Sequence, residues 1–285
     1  VPILGAGSSM ADYRIGFKWW ALIIAVVFVI SELVCVACVP ERPVACDEKP
    51  GKISDMFKAL FKNDQAMTVV VSIILVYTSL NICGNLVLYF FRFDVGNEGA
   101  YSIFAAVAFA AQVLVMMVIP LLRKRFSKSQ LFISGFIIQI AGFAVILIMA
   151  FAKLYTPQSW YILCLPGILI YLGYGMLNVI MTIFLSDSVD YGEVMNGTRE
   201  ESVIFSMQTF TVKLASGVAV FLAGLVVDWI HLDTAAAVQT QDTLDALRMW
   251  MTIPSVILLI VGIFVFKRFY KLDDTRMEEI KSKLN

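Results

Sequence analysis

The sequence predicts an all-α membrane protein of about seven transmembrane helices, and three observations predict it. Of its 285 residues 60% are hydrophobic and 15% charged, with a mean hydropathy of +0.83. A soluble domain carries roughly 45–50% apolar and about 25% charged residues. The apolar residues gather into runs near the roughly 20 residues that a helix needs to cross a bilayer. Lys and Arg crowd into alternate connections between those runs. A chain of this size cannot hide so much apolar surface in one aqueous core, which excludes a soluble enzyme, a nucleic-acid binder and a secreted disulfide scaffold. Its 22 Lys and Arg balance 22 Asp and Glu, so net charge points to no polyanionic partner.

The chain opens Val1-Pro2-Ile3 with no basic segment ahead of an apolar stretch. It reads as a piece of something longer with no visible signal peptide. The apolar runs cover 19–39, 67–91, 101–121, 131–152, 160–186, 203–229 and 249–266. No alternation of the outer-membrane-barrel kind competes with them, so helices satisfy the backbone in lipid. The first run holds Cys35 and Cys38 at C-x-x-C spacing, but the one histidine of the chain is the distant His231. Small apolar packing is the better reading than metal or redox chemistry. Glu32, about 10 Å from the end of that run, reads as a paired or partly snorkelled acid, with a proton or ion site as the alternative.

The segment 40–66 is more than a spacer. Ile53, Met56, Phe57, Leu60 and Phe61 follow i, i+3, i+4, i+7, i+8 among Lys52, Lys58 and Lys62, predicting an amphipathic helix lying on a membrane surface. Connections after the first, third, fifth and seventh runs hold 16 Lys and Arg, the others 5, and Lys213 stands inside a run. That bias predicts a cytoplasmic 40–66 segment and C-terminus and an external start. Seven runs fit this sidedness, whereas six or eight do not. The end of the tail, Leu272–Asn285, reads as a charged, solvated helix or coil.

Polar residues on the apolar runs form stripes. Ser202, Ser206, Thr209, Lys213 and Ser216 lie within one sector of the sixth run, with Gly217 and Gly224 beside it. Lys213 is about 15 Å deep, near the bilayer centre. An ammonium there costs at least ~2.5 kcal/mol unless it faces water or a counter-charge, so Lys213 is predicted to face a wet cavity. Tyr171, Tyr174, Asn178, Thr182 and Ser186 repeat the pattern in the fifth run, and Thr78, Asn81, Asn85, Tyr89 and Arg92 in the second. The first, fourth and seventh runs lack such stripes and read as peripheral. Three polar faces are expected to meet around an aqueous path. Amide and phenol groups suit a neutral polyhydroxylated ligand, donating to and accepting from hydroxyls while rings stack on a sugar face. The competing reading is hydrogen bonding between helices with no ligand.

Between the fifth and sixth runs stand Asp187, Asp190, Tyr191, Gly192 and Glu193, the turn signal Asn196-Gly197, then Arg199, Glu200 and Glu201. No His or Cys accompanies the carboxylates, which argues against a metal site. They read as ion pairs that form and break as helices move, with Arg199 bonding in one conformation; a solvated acidic loop is the alternative.

Those residues also carry a resemblance. Asp187-x-x-Asp190-Tyr191-Gly192-Glu193, then Gly197-x-Arg199-x-Glu201, then Ser206-x-Gln208-Thr209-Phe210-x-x-Lys213 resembles the glycoside–pentoside–hexuronide:cation symporters, the melibiose-permease-like branch of the major facilitator superfamily. Leu122-Arg123-Lys124-Arg125-Phe126-Ser127-Lys128 resembles the basic turn after that family's eighth helix. Leu60-Phe61-Lys62-Asn63 resembles the end of its central loop, and Tyr89-Phe90-Phe91 the end of its seventh helix.

The resemblance aligns the chain with helices six to twelve of a twelve-helix transporter. It implies an external segment and sixth helix at 1–39, a central loop at 40–66, a carboxy-terminal six-helix bundle at 67–268 and a cytoplasmic tail at 269–285. It further implies a cation-coupled sugar symporter of the plasma membrane, no enzyme and no cofactor beyond a coupling H⁺ or Na⁺. The expected partners are a small sugar, membrane lipid and an amino-terminal bundle of the same protein, with no nucleic acid. The resemblance places Lys213 and Thr209 near the sugar and cation sites, and Arg199 and Glu201 at the cytoplasmic gate with Asp187, Asp190 and Glu193. Asn81, Asn85, Tyr174 and Asn178 rest on the stripes. Rival readings are an intramembrane enzyme acting through the acidic loop and a transporter-derived module that moves or senses a lipid or other solute.

Overall fold

The computed structural model describes residues 10–38, 61–197, 199, 201–236 and 238–284. The amphipathic segment expected around residues 53–61 lies mostly outside them. Seven of its helices are long and apolar enough to cross a membrane, and among the described residues there is no strand. The expectation of an all-α, seven-span chain holds.

Helix α1, Met10–Cys38, is exposed along its apolar length from Phe17 onward, Glu32 included. The remaining elements form one compact unit. α2 spans Asp64–Tyr89 and runs into a wider π-helical turn, Phe90–Asp94. Asn63 starts α2 as an N-cap, its side chain accepting from Ala66 N. α3 is Ala100–Leu122, followed by the tight basic turn 123–126. α4, Lys128–Phe151, opens on a reciprocal capping box between Ser127 and Gln130. After a 3₁₀ turn at Trp160–Leu163 comes α5, Cys164–Asn196. α6 covers Glu201–Trp229, α7 Gln241–Phe269 and a short α8 Asp274–Leu284.

Three expectations need correction. The fourth and seventh runs are not peripheral: α4 buries Gln139, and α7 buries Arg248, Thr252 and Ser255 inside the bundle. Asp187, Asp190 and Glu193 do not sit in a connection: they belong to the last turns of α5, which runs on to Asn196. The helix stops where Gly197 takes φ +73° and its N–H bonds back to Glu193 O at 2.8 Å. The tail is not fully solvated either. Leu272, Met277 and Ile280 are buried against Tyr191 and Tyr270, docking α8 on the end of α5.

Because lipid is as apolar as leucine, close packing rather than the hydrophobic effect must hold such helices together. Glycines supply it between α4 and α5. A Cβ on Gly173 would lie 2.6 Å from Gly135 O and Gln139 N, and one on Gly142 would lie 2.7 Å from Ile170 N. α3 approaches α5 in the same way, Val115 standing 2.6 Å from where a Gly175 Cβ would be. Aromatic rings lock the ends of α4, α5 and α7 together, with Phe132–Phe266 centroids 4.5 Å apart and Phe184–Tyr270 4.4 Å apart. Each such pair contributes about 0.5–1.5 kcal/mol beyond its area. Gly173→Ala is therefore expected to lower stability by about 1–3 kcal/mol, because backbone on both sides must move. Gly224→Ala, with nothing within 4 Å of its Cβ, is expected to change stability by less than about 0.5 kcal/mol. Thermal unfolding of the purified variants in lipid compares the two.

The connections sort the bundle into two ends. The basic end gathers the starts of α2, α4 and α6, the ends of α3, α5 and α7, and α8. The far end gathers the π turn, the loop 152–159 and the start of α7.

Candidate functional site

Midway between those ends, polar side chains of three helices meet. Asn178 of α5 donates from Nδ2 to the Tyr77 hydroxyl of α2 at 2.5 Å. The Tyr77 ring meets Tyr174 of α5 edge-on at 5.5 Å, and Tyr174 meets Tyr171 at 6.5 Å. Asn81 of α2 accepts at Oδ1 from Ser216 of α6 at 3.4 Å. The same Asn81 donates to Tyr77 O at 2.7 Å, and Asn85 donates to Asn81 O at 2.7 Å. The structure thus joins Tyr174, Asn178 and Asn81, and through Ser216 the face of α6, into one polar network.

The remaining candidates of this face stand open. Ser202, Ser206, Thr209 and Lys213 are exposed on α6, the Thr209 hydroxyl bonding back to Phe205 O at 3.3 Å. Lys213 has no carboxylate within 4.0 Å among the described residues. Among the described residues nothing lies within 4 Å of a Cβ built on Gly84, beside Asn85 on α2, or on Gly217, one turn beyond Lys213 on α6. The network can bond hydroxyls through amide and phenol groups and presents one cation beside them.

Tyr77 is the functional candidate that the stripe reading misses. Thr78, which the stripe includes, instead faces inward: it is buried and its hydroxyl has no partner among the described residues. Positions 77, 81 and 85 advance by four along one face of the helix, and this repeat was the available signal.

At the basic end the acidic residues divide. Arg199 bonds Asp190 at 3.0 Å, Glu193 at 2.8 Å and Glu201 at 3.2 Å, and its guanidinium is 46% exposed. The hydrogen bond that Arg199 donates to Glu193 raises the Arg199 pKa above its ordinary value; partial burial opposes it, and Asp190 and Glu201 add to the rise. Asp187 does not join them. Buried in α5, it pairs with Lys128 at the start of α4, because the helix continues through this segment and turns Asp187 away from Arg199. Lys128 also reaches Asp274 of α8 at 3.4 Å, and Arg123 bonds the same carboxylate at 3.3 Å. Burial would raise the Asp274 pKa, but Lys128 and Arg123 outweigh it and hold it below the usual carboxylate range. Among the described residues no group of three or more His, Cys, Asp and Glu is placed to hold a metal ion.

At the far end a second buried ion pair was not foreseen. Arg248 of α7 bonds Asp94 through Nε at 2.9 Å and through a terminal nitrogen at 2.5 Å, both side chains being 3% exposed. The Tyr155 hydroxyl donates to Asp94 at 2.5 Å. Burial, then the Asp94 carboxylate, pushes the Tyr155 phenol well above its ordinary pKa.

A family model described as MFS/sugar transport protein matches residues 1–274. The chain belongs to this family. The raffinose carrier protein of Pediococcus pentosaceus is 24% identical over 97% of the chain and 43% of its own length. The isoprimeverose transporter of Lactiplantibacillus pentosus is 25% identical over 96% of the chain and 55% of its length. An uncharacterized symporter of Bacillus subtilis (strain 168) is 25% identical over 88% of the chain and 54% of its length. The chain spans about half the length of the curated relatives it matches, and these are named as carriers, transporters or symporters rather than enzymes. As a member of the MFS sugar-transport family whose described residues include seven span-length helices, it is a multi-pass membrane protein.

Proposed function

We propose that this chain forms the carboxy-terminal bundle, with one preceding helix, of a cation-coupled sugar symporter. The observation that carries the reading is the joining of Tyr77, Asn81, Tyr174, Asn178 and Ser216 across α2, α5 and α6 at mid-depth, beside an open Lys213. Ring faces and amides suit the alternating apolar and hydroxyl faces of a saccharide. Relatives whose names specify a saccharide support this ligand class.

Lys213 needs a counter-charge at its depth. In this reading an acid of an amino-terminal bundle supplies it, and the coupling H⁺ or Na⁺ competes for that acid. Thr209 and Asn85 line the same path. The basic end faces the cytoplasm by its excess of Lys and Arg. Arg199 closes that end by bonding Asp190, Glu193 and Glu201, and exposed pairs of this kind, worth about 0–1 kcal/mol, break readily as one bundle rocks against the other. Asp187, held by Lys128, serves as a fixed strut beside that gate.

Equilibrium binding of radiolabelled lactose and isoprimeverose to the purified protein tests the ligand class. Asn178→Leu removes the donor to Tyr77 at a partly buried position and is expected to weaken sugar binding about tenfold or more, the loss of a network hydrogen bond plus an unpaired phenol. Sugar binding with unchanged affinity in Asn178→Leu would count against the site.

A further inference from the structure

α2 and α7 are bonded to one another at three depths. At the basic end Gln65 of α2 donates from Nε2 to Phe269 O at 3.3 Å, and its Oε1 accepts from Lys271 N at 2.8 Å. Midway, two buried serines bond reciprocally: Ser79 Oγ donates to Ser255 O at 3.1 Å and Ser255 Oγ donates to Ser79 O at 2.8 Å. At the far end the π turn brings the Asp94 carboxylate inward to Arg248, with Tyr155 as a third donor. Three charge-assisted bonds in a dry site are strong, and parting them would leave a bare buried charge. The Arg248 guanidinium also lies 5.8 Å from the Phe151 ring, and it bonds Asp245 one turn earlier on α7 at 2.6 Å.

α6 is attached differently. The face it packs inward is small through its middle, where Thr211, Ala215, Ala219 and Ala223 are buried, with Ile204 and Val226 buried nearer its two ends. Its one side-chain hydrogen bond to another helix among the described residues is the 3.4 Å contact of Ser216 with Asn81. Between α6 and α7 lies an apolar space of about 550 Å³, bounded by Leu222, Ile82, Met249, Ile253 and Ile257. The two ends of α6 also differ. At the far end Trp229 packs on Trp250 at 5.2 Å and Thr243 donates to Ile230 O at 3.1 Å. At the basic end the exposed Arg199 links the start of α6 to α5.

We propose that α2 and α7 form one rigid post, locked at the far end by Asp94 acting as a positioning residue, and that α6 swings against this post as an arm pivoting near Trp229. The post carries Tyr77 and Asn81 in fixed register, and the arm carries Lys213 and Thr209. A swing through the apolar space slides the small-residue face of α6 over α2, on which it packs, changing the gap between Lys213 and Asn81 and giving up one long hydrogen bond. The wide turn at 90–94 follows from the same account: it is the change of helical pitch that lets Asp94 face α7 while Asn81 and Asn85 face the path. The functional meaning of the swing rests on the sugar-path reading, but its mechanics do not.

The test uses the whole chain in lipid nanodiscs, with its five cysteines replaced and pairs of spin labels read by pulsed electron resonance. One pair, at Leu88 and Asp242, spans the post; the other, at Ser202 and Lys267, spans arm and post at the basic end. The post pair is expected to give a single narrow distance and the arm pair a broad or double one. Asp94→Asn is expected to abolish the single narrow peak of the post pair, and Tyr155→Phe, which removes one donor and no charge, to broaden it. A pair with only a structural role would lower Tm and leave the post distance narrow; that result in either variant, or an arm pair as narrow as the post pair, overturns the proposal. If Asp94→Asn does not fold, Tyr155→Phe decides by the same readout. No sugar is present, so failure here is separate from failure of sugar binding.

Discussion

Lys213→Ala is expected to abolish cation-driven sugar accumulation while leaving the protein inserted and folded. The side chain is exposed on α6 and bonds no acid among the described residues, so its removal should change stability by no more than about 0.5 kcal/mol. Its contribution lies elsewhere. A cation near the bilayer centre is tolerated where it faces water or a counter-charge, and in the proposed mechanism its exchange of partners couples sugar to cation. Without it the path keeps its amides and phenols, so sugar is still expected to bind, but the charge balance that sets the coupling in that mechanism is lost. Accumulation assays against Tm and membrane yield separate the two effects. Normal accumulation in Lys213→Ala would contradict the role assigned to it.

The second large effect concerns stability. Arg248→Met leaves the Asp94 carboxylate buried with Tyr155 as its remaining donor, and is expected to cost about 3–5 kcal/mol, the usual penalty for orphaning one partner of a buried pair. Asp245 loses Arg248 as well, but it is 38% exposed and water replaces the bond. The double variant Asp94→Leu/Arg248→Met removes both charges and is expected to recover most of that loss, since apolar side chains of similar volume fill such a site at little cost. By contrast, Arg199→Met breaks three bonds from a 46% exposed guanidinium and is expected to cost no more than about 1 kcal/mol. Reversible unfolding in mixed micelles ranks the three. Equal losses for Arg248→Met and Arg199→Met would remove the distinction between a permanent lock and a breakable gate.

What was legible in the sequence follows from the range of each interaction. The seven spans are local properties of length and hydropathy, so they could be read directly. The open face of α6 was legible too, because Ser202, Ser206, Thr209 and Lys213 obey helical spacing whatever surrounds them. Tyr77 was harder: Thr78 and Tyr77 stand three and four residues before Asn81, and either spacing fits a 3.6-residue turn until a neighbouring helix chooses between them. The Asp94–Arg248 and Lys128–Asp187 pairs link residues 154 and 59 positions apart, and no local pattern announces such partners. Asp187 shared an acidic cluster with Asp190 and Glu193, yet its place on the buried side of α5 became visible only once the helix was seen to run on to Gly197.

The most direct measurement of the central claim is sugar counterflow. The purified protein, expressed from its complete coding region, is reconstituted into vesicles loaded with lactose or isoprimeverose, and entry of the labelled sugar is followed without any ion gradient. Labelled sugar is expected to accumulate transiently in the loaded vesicles, and to fail to do so when Tyr77 and Asn178 are both replaced by Leu. Vesicles in which the protein is folded yet neither sugar exchanges, or in which the double variant exchanges as fast as the unaltered protein, would contradict the account.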